Sequence, residues 1–159
     1  MLEKGMKFPD FLLKDARGEE VGLADILGKF AVVYFYPRIN TPGCSLEAGE
    51  FNGLLPEFAR LGATVTGVSA DLPEALCKAA DKRSYSLRLL SDPDHKLLEA
   101  AGAWRKKKLY GKEFMGTVRS TCLLDPKGTV LRAWPKVSPK GHAEAVLAAL
   151  EEATGKPAS

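Results

Sequence analysis

Two apolar runs, Phe30 to Tyr36 and Ala63 to Ser69, enclose a stretch with helical spacing, and this arrangement constrains the chain more than any other feature. Both runs are rich in β-branched or aromatic residues and read as buried strands. Between them Phe51, Leu54, Leu55, Phe58 and Leu61 recur at helical intervals. That spacing predicts a helix from near Cys44 to near Gly62. Strand, crossover helix and strand make a βαβ unit, with parallel strands and a right-handed crossover.

The junction between the first strand and the helix carries the chemistry. Pro37 ends the strand, and Pro42-Gly43 breaks the chain again just before the helix. Cys44 then falls in the first helical turn, where unpaired backbone N–H groups and the helix dipole favour negative charge. The thiolate is the reactive form of cysteine, and such a position favours it. Thr41 lies three residues earlier, and its hydroxyl can donate one hydrogen bond while accepting another. The amides of Gly43 and Cys44 add donors at the same point.

Elsewhere the pattern is plainer. Lys7–Lys14 and Val21–Leu23 predict an amino-terminal β-hairpin turning at Asp15-Ala16-Arg17-Gly18, and Ala24 to Gly28 a short helical turn. Asp71 with Glu74 has capping-box spacing, so a helix is expected there with Leu72, Ala75, Leu76 and Ala79 facing inward. Ser86 to Leu90 reads as a short extended piece. Asp92-Pro93 reads as a helix start, and Trp104 to Gly116 as an exposed excursion with the basic run Arg105–Lys108. Val118–Leu124 and Thr129–Trp134 predict an antiparallel hairpin, and Lys140–Ala153 a final helix with Ala143, Val146, Leu147 and Leu150 on one face. The expectation is one α/β domain over residues 1–159: a three-layer thioredoxin-like sandwich with a central mixed sheet, an amino-terminal hairpin extension and a frayed tail at about 154–159.

The 159 residues suffice for one core, and a net charge of +3 is too small to imply a nucleic-acid partner. No apolar run is long enough to span a bilayer, and no signal-peptide pattern opens the chain, so a cytoplasmic protein with no membrane partner is expected. Three scattered cysteines are not a disulfide scaffold. His95 and His142 are not spaced with any cysteine as metal ligands, so no metal or cofactor is expected and both histidines read as surface or capping residues.

The stretch Tyr34-Phe35-Tyr36-Pro37, with Thr41-Pro42-Gly43-Cys44, resembles the peroxidatic motif of the peroxiredoxins, in the form found in the peroxiredoxin Q, or bacterioferritin-comigratory-protein, subfamily. Gly67–Asp71, Leu89–Asp92, Tyr110-Gly111-Lys112 with Met115-Gly116, Arg119-Ser120-Thr121 and Gly141-His142-Ala143 continue the likeness from about Met6 to about Leu150. The resemblance implies a thiol-dependent peroxidase in which Cys44 is oxidised by hydrogen peroxide or an organic hydroperoxide and recycled by thioredoxin or a similar dithiol. It also implies an active-site arginine at Arg119. That residue stands out independently, because a charge within an apolar strand is expensive to bury without a partner. Glu47, one turn after Cys44, could orient that guanidinium, although a plain surface carboxylate is a competing reading. Pro37 could shield the sulfur from water.

The chain departs from the subfamily at one point. Gly49 stands where many members carry a resolving cysteine. Cys77 then remains as a resolving thiol on the helix after Asp71, with an external thiol and a one-cysteine cycle as the alternative. Cys122 should be a small core residue on the far face of its strand. A monomer is expected, with a dimer as the alternative. A thiol–disulfide oxidoreductase or a redox-sensing, chaperone-like protein on the same fold would be the other readings, but Thr41 occupies the place of the first cysteine of a Cys-x-x-Cys pair.

Overall fold

The computed structural model describes residues 1–156. The chain opens with the hairpin β1 (Leu12–Asp15) and β2 (Glu20–Gly22), followed by the single turn α1 (Leu23–Ile26). Next come β3 (Phe30–Phe35), α2 (Pro42–Gly53), α3 (Leu55–Arg60) and β4 (Ala63–Ser69). Then α4 (Pro73–Arg83), β5 (Arg88–Ser91) and α5 (Lys96–Ala100) lead to the ribbon β6 (Trp104–Leu109) and β7 (Lys112–Thr117). The chain finishes with β8 (Ser120–Leu124), β9 (Val130–Trp134) and α6 (His142–Thr154). Seven strands form one mixed sheet in the order β2-β1-β5-β4-β3-β8-β9, and β6 and β7 pair only with each other. β3 and β4 run parallel in the expected βαβ unit, and β8 lies antiparallel to β3 on its other side.

Side chains alternate across the central strands, so each face of the sheet acquires its own core. On one face Val32, Tyr34, Tyr36 and Leu123 pack with Phe51, Phe58, Leu76, Val146 and Leu150, from α2, α3, α4 and α6. On the other, Ala31, Val33, Phe35, Cys122 and Leu124 pack with Phe8, Ile26, Leu97 and Leu98. This is the expected layered, thioredoxin-like arrangement. Gly67 in β4 is required by packing: a Cβ there would meet the Tyr34 ring at 2.8 Å. The missing side chain lets Tyr34 lie flat over β4 and stack on Phe51, with ring centroids 4.6 Å apart.

Several local expectations are corrected. The helix expected to reach Gly62 is two helices, because Pro56 near the start of α3 cannot donate to the preceding turn. Asp71 does not cap α4. The helix begins at Pro73 with Leu72 at its cap position, and Leu72 is exposed instead of joining the inward stripe. The Asp71 carboxylate accepts instead from the Ile39 amide (2.9 Å) and the Ser69 hydroxyl (2.7 Å). Asp92 starts no helix at Pro93. α5 begins at Lys96, and Asp92 reaches forward to accept from the Leu98 amide at 2.8 Å. Residues 104–117 form a regular ribbon, since β6 and β7 pair residue for residue from Trp104↔Thr117 to Leu109↔Lys112. Of the expected tail, Thr154 is the last residue of α6, and Gly155, at φ 68°, is its C-cap, with its amide donating to the Glu151 carbonyl. The rest of the expected tail, Pro157 to Ser159, lies outside the described residues.

Candidate active site

The site forms where β3 hands over to α2. Tyr36 still bonds to β4 through its amide and the Val68 carbonyl, and Pro37 then turns the chain away. The loop is held from both ends. Ile39 is buried and tied to Asp71, and the amide and hydroxyl of Thr41 both donate to the Arg38 carbonyl, the hydroxyl at 2.9 Å. Thr41 is the cap residue of α2, Pro42 and Gly43 follow, and Cys44 is third in the helix. The first intrahelical bond runs from the Ser45 amide to the Thr41 carbonyl, so the amides of Gly43 and Cys44 precede the helical ladder. Cys44 is only 1% exposed and belongs to the core cluster that also holds Tyr34, Tyr36, Ile39 and Ala48.

Arg119 reaches the sulfur from the far side. One of its terminal nitrogens donates to Cys44 Sγ at 3.3 Å and the other to Glu47 Oε1 at 2.7 Å. Arg119 lies between β7 and β8, just before the strand expected to contain it, and its carbonyl accepts from the Val137 amide at 3.0 Å. Glu47 is completely buried, so the reading of a surface carboxylate is set aside. Gly43 leaves room for the guanidinium, because a Cβ there would meet Arg119 Nη2 at 3.3 Å and Pro139 Cγ at 3.4 Å.

The electrostatics follow from burial. Burial lowers the Arg119 guanidinium, but Glu47 and the Cys44 sulfur outweigh it and raise it overall, so it stays a fixed cation. Burial pushes the Glu47 carboxyl up to about 7, against the pull of Arg119. One cation thus serves two acidic groups in a dry site. The raised carboxyl makes a pH prediction. From the unfolded pKa near ~4.3 up to about 7, the native state binds more protons at Glu47 than the unfolded chain, so this residue's contribution to stability falls as pH rises. Glu47→Gln should therefore gain on the parent protein by on the order of 3 kcal/mol between pH 5 and pH 8. Denaturant melts at the two pH values check this; an unchanged difference would mean that Glu47 does not titrate in this window.

Two neighbours escaped the sequence reading. Lys107, read as part of a solvated run, turns inward and donates to the Thr117 carbonyl at 2.8 Å. Burial and repulsion from Arg119 lower its ammonium, while the Cys44 sulfur raises it. It points inward between exposed Lys106 and Lys108, and the unbroken basic run carries no sequence signal that would single it out. His142 is buried, not a surface residue. It hydrogen-bonds Thr121 Oγ1 at 2.7 Å and lies between the edges of Phe51 and Trp134. Burial and Arg119 lower it to about 4, so the ring is neutral at pH 7. His95 takes the N-cap position of α5 without a side-chain capping bond, and its ring stacks on Trp104.

The remaining candidates separate. Pro37 and Thr41 line an open cleft of about 640 Å³ with Arg38, Asn40, Ala70, Asp71 and Leu72. Cys77 is half-buried on α4, where it accepts from Arg17 Nη1 at 2.9 Å in a groove beside Asp81. Cys122 is buried under the opposite face of the sheet, and burial pushes its thiol up to about 12. All three thiols are free, and no cluster of potential metal ligands occurs among the described residues.

A cation bridging a buried sulfur and a carboxylate at a helix start can hold a thiolate and stabilise charge developing on a leaving oxygen. The sequence profile of the AhpC/TSA family matches residues 5–133. Peroxiredoxin Bcp of Bacillus subtilis (strain 168) is 43% identical over 155 residues, 98% of this chain and 99% of its own. Peroxiredoxin Bcp of Escherichia coli (strain K12) is 36% identical over 151 residues, 95% and 97% of the two chains. Among solved structures, Xanthomonas campestris peroxiredoxin Q superposes with a TM-score of 0.88 at 40% identity, covering 97% of each chain. A cysteine-to-serine mutant of Xylella fastidiosa PrxQ superposes with a TM-score of 0.91 at 34% identity, covering 96% of this chain and 98% of that one. The chain belongs to the AhpC/TSA family and is a thiol-dependent peroxidase of the peroxiredoxin Q, or bacterioferritin-comigratory-protein, kind.

Proposed function

We propose that Cys44 is the peroxidatic nucleophile of this peroxidase, with Arg119 as its cation and Glu47 as the residue that positions Arg119. The observation that carries this reading is the single guanidinium bonded to both Sγ and Glu47. The Cys44 thiolate attacks the terminal oxygen of the hydroperoxide, the S–O bond forms as the O–O bond breaks, and the sulfur is oxidised by two electrons. Cys44 becomes a sulfenic acid, and the departing oxygen leaves as alkoxide or hydroxide and takes a proton from solvent. Arg119 stabilises the charge on that oxygen, and the amides of Gly43 and Cys44 hold the peroxide in line. Thr41 offers its hydroxyl by turning from the Arg38 carbonyl, and Pro37 walls the site from water.

Hydrogen peroxide and organic hydroperoxides are the proposed substrates. The X. campestris bacterioferritin comigratory protein is described as reducing alkyl peroxides. Thioredoxin or a similar dithiol is the proposed reductant, in a reducing compartment such as the cytoplasm, with the protein working as a monomer. Resolution by Cys77 and by an external thiol remain the two routes. The X. campestris protein has been studied with either of two cysteines, 36 residues apart, replaced by serine. Cys44 and Cys77 are 33 apart, close to one helical turn less. Cys77 would have to leave Arg17, and the start of α4 would have to unwind, before the sulfurs could meet. One equivalent of hydroperoxide without reductant, followed by mass spectrometry, separates the routes. A Cys44–Cys77 disulfide selects the internal one, and a lasting sulfenic acid on Cys44 selects the external one. An unmodified Cys44 under those conditions would overturn the assignment.

A further inference from the structure

The β6–β7 ribbon stands apart from the seven-stranded sheet, and its surface is unlike the rest of the molecule. Residues 104–117 hold five Lys or Arg against one Glu, a net +4, whereas the whole chain carries +3. Four of the eight large apolar side chains found exposed among the described residues fall between Leu109 and Met115. Leu109 is 56% exposed, Tyr110 96%, Phe114 44% and Met115 49%. Tyr110 and Gly111 make the two-residue turn, both with positive φ, at 52° and 77°. Asn, Asp or Gly is favoured at the first of these positions, and a tyrosine held there is strained. A fully exposed aromatic ring in a strained turn gains nothing from the fold that presents it.

The register shows how charge and apolar surface are arranged. Leu109, Lys112 and Phe114 share one face of the ribbon, and Lys106, Lys108 and Met115 share the other. Arg105 and Lys107 are used in anchoring, to the carbonyls of Pro135 and Thr117. The free cations, Lys108 and Lys112, with Lys106 only loosely paired to Glu113 at 3.8 Å, therefore surround an apolar tip on both sides. A protein partner would cover one face. A planar interface that admits the tip and meets the lysines around it satisfies both faces together, with the Tyr110 ring at the polar boundary. Tyr110 and Phe114 could stack on bases, but Leu109 and Met115, which make up the rest of the exposed apolar tip, could not, and burying them favours a lipid surface over single-stranded nucleic acid.

We propose that the β6–β7 ribbon docks the protein on an anionic lipid bilayer, seating Leu109, Tyr110, Phe114 and Met115 in the headgroup region and Lys106, Lys108 and Lys112 at the phosphates. This departs from the expectations of an exposed, solvated excursion and of no membrane partner. It requires no membrane-spanning segment, and no described helix is long and apolar enough to be one.

Co-sedimentation of the full chain with vesicles tests it. The protein should bind phosphatidylglycerol–phosphatidylcholine vesicles, bind pure phosphatidylcholine far more weakly, and release as salt rises. Each of Lys106→Gln, Lys108→Gln and Lys112→Gln should weaken binding about fivefold. Leu109→Ser with Tyr110→Ser should weaken it further while hydrogen peroxide turnover stays at the parent level, which shows that the variant is folded. Absence of binding to the anionic vesicles would overturn the proposal. So would oligonucleotide binding of equal strength that ignores the Leu109 and Tyr110 changes.

Discussion

Cys44→Ser should abolish hydroperoxide consumption, with a loss on the order of 10⁴-fold or more, the scale seen when a catalytic nucleophile is removed. Ser is nearly isosteric with Cys, so the buried position in the core that also holds Tyr34, Tyr36, Ile39 and Ala48 should remain filled and the thermal midpoint should move little. The hydroxyl still accepts from Arg119 but is far weaker than a thiolate as a nucleophile toward peroxide oxygen. An NADPH-coupled assay with thioredoxin and thioredoxin reductase reads the loss, and labelling of sulfenic acid should disappear with it. Retained turnover would remove Cys44 from the chemistry and leave Cys77 as the remaining accessible thiol. Cys77→Ser separates the cases further: it should leave the rate of Cys44 oxidation unchanged and affect only recycling.

Arg119→Ala should slow formation of the Cys44 sulfenic acid by about 10²–10³-fold, the usual consequence of losing one charge-stabilising donor. The concern with such a variant is that it leaves a buried carboxylate without its cation, which often costs ~3–5 kcal/mol. Here the same burial supplies the escape. Glu47 is already pushed up to about 7 with Arg119 present, so without that partner it takes up a proton and remains neutral. The fold should survive, and the stability lost should be smaller at pH 6 than at pH 8. Arg119→Lys should be intermediate. An ammonium keeps the charge but cannot reach Sγ and Glu47 through two rigidly spaced nitrogens. Stopped-flow oxidation by a single addition of peroxide isolates this step from recycling. An unchanged rate in Arg119→Ala would rule out its role.

The raised carboxyl and the lowered imidazole pull stability in opposite directions. His142, held near 4 by burial, binds fewer protons in the native state than in the unfolded chain from about pH 4 to about 6.5. Its contribution is therefore lost as pH falls through that window. Glu47 contributes in the reverse sense over nearly the same range. The two largely offset between about pH 4.5 and 6.5, and the Glu47 penalty stands alone above it.

Local pattern was enough wherever the physics is local. The β4 boundaries, Ala63 and Ser69, and the placement of Cys44 in a first helical turn follow from hydrophobic period and from where proline and glycine stand. Capping signals were less dependable. Asp71 and Asp92 each have the side chain of a helix cap, but Asp71 accepts from Ile39 in a loop, and Asp92 reaches a first-turn amide of α5, at Leu98, from well before the N-cap position. A carboxylate goes to whichever donor the fold presents, and only one of those donors is visible in sequence order. His142 and Lys107 were misread for a related reason. A charge run and an isolated histidine look like surface until the packed layer around them is known.

By itself, then, the sequence determined a parallel βαβ unit with one cysteine at the start of its helix, because strand period, helix period and chain breaks are written within a few residues of one another. Only the tertiary structure decided that Arg119, 75 positions away, bonds that sulfur, that Glu47 is buried against it, and that Val137 steadies its backbone. Those contacts depend on β8 lying antiparallel beside β3, with Thr121 opposite Tyr34 and Ser120 opposite Phe35. Strand order is selected by how the two cores close over the whole sheet, and no short stretch of chain carries that information.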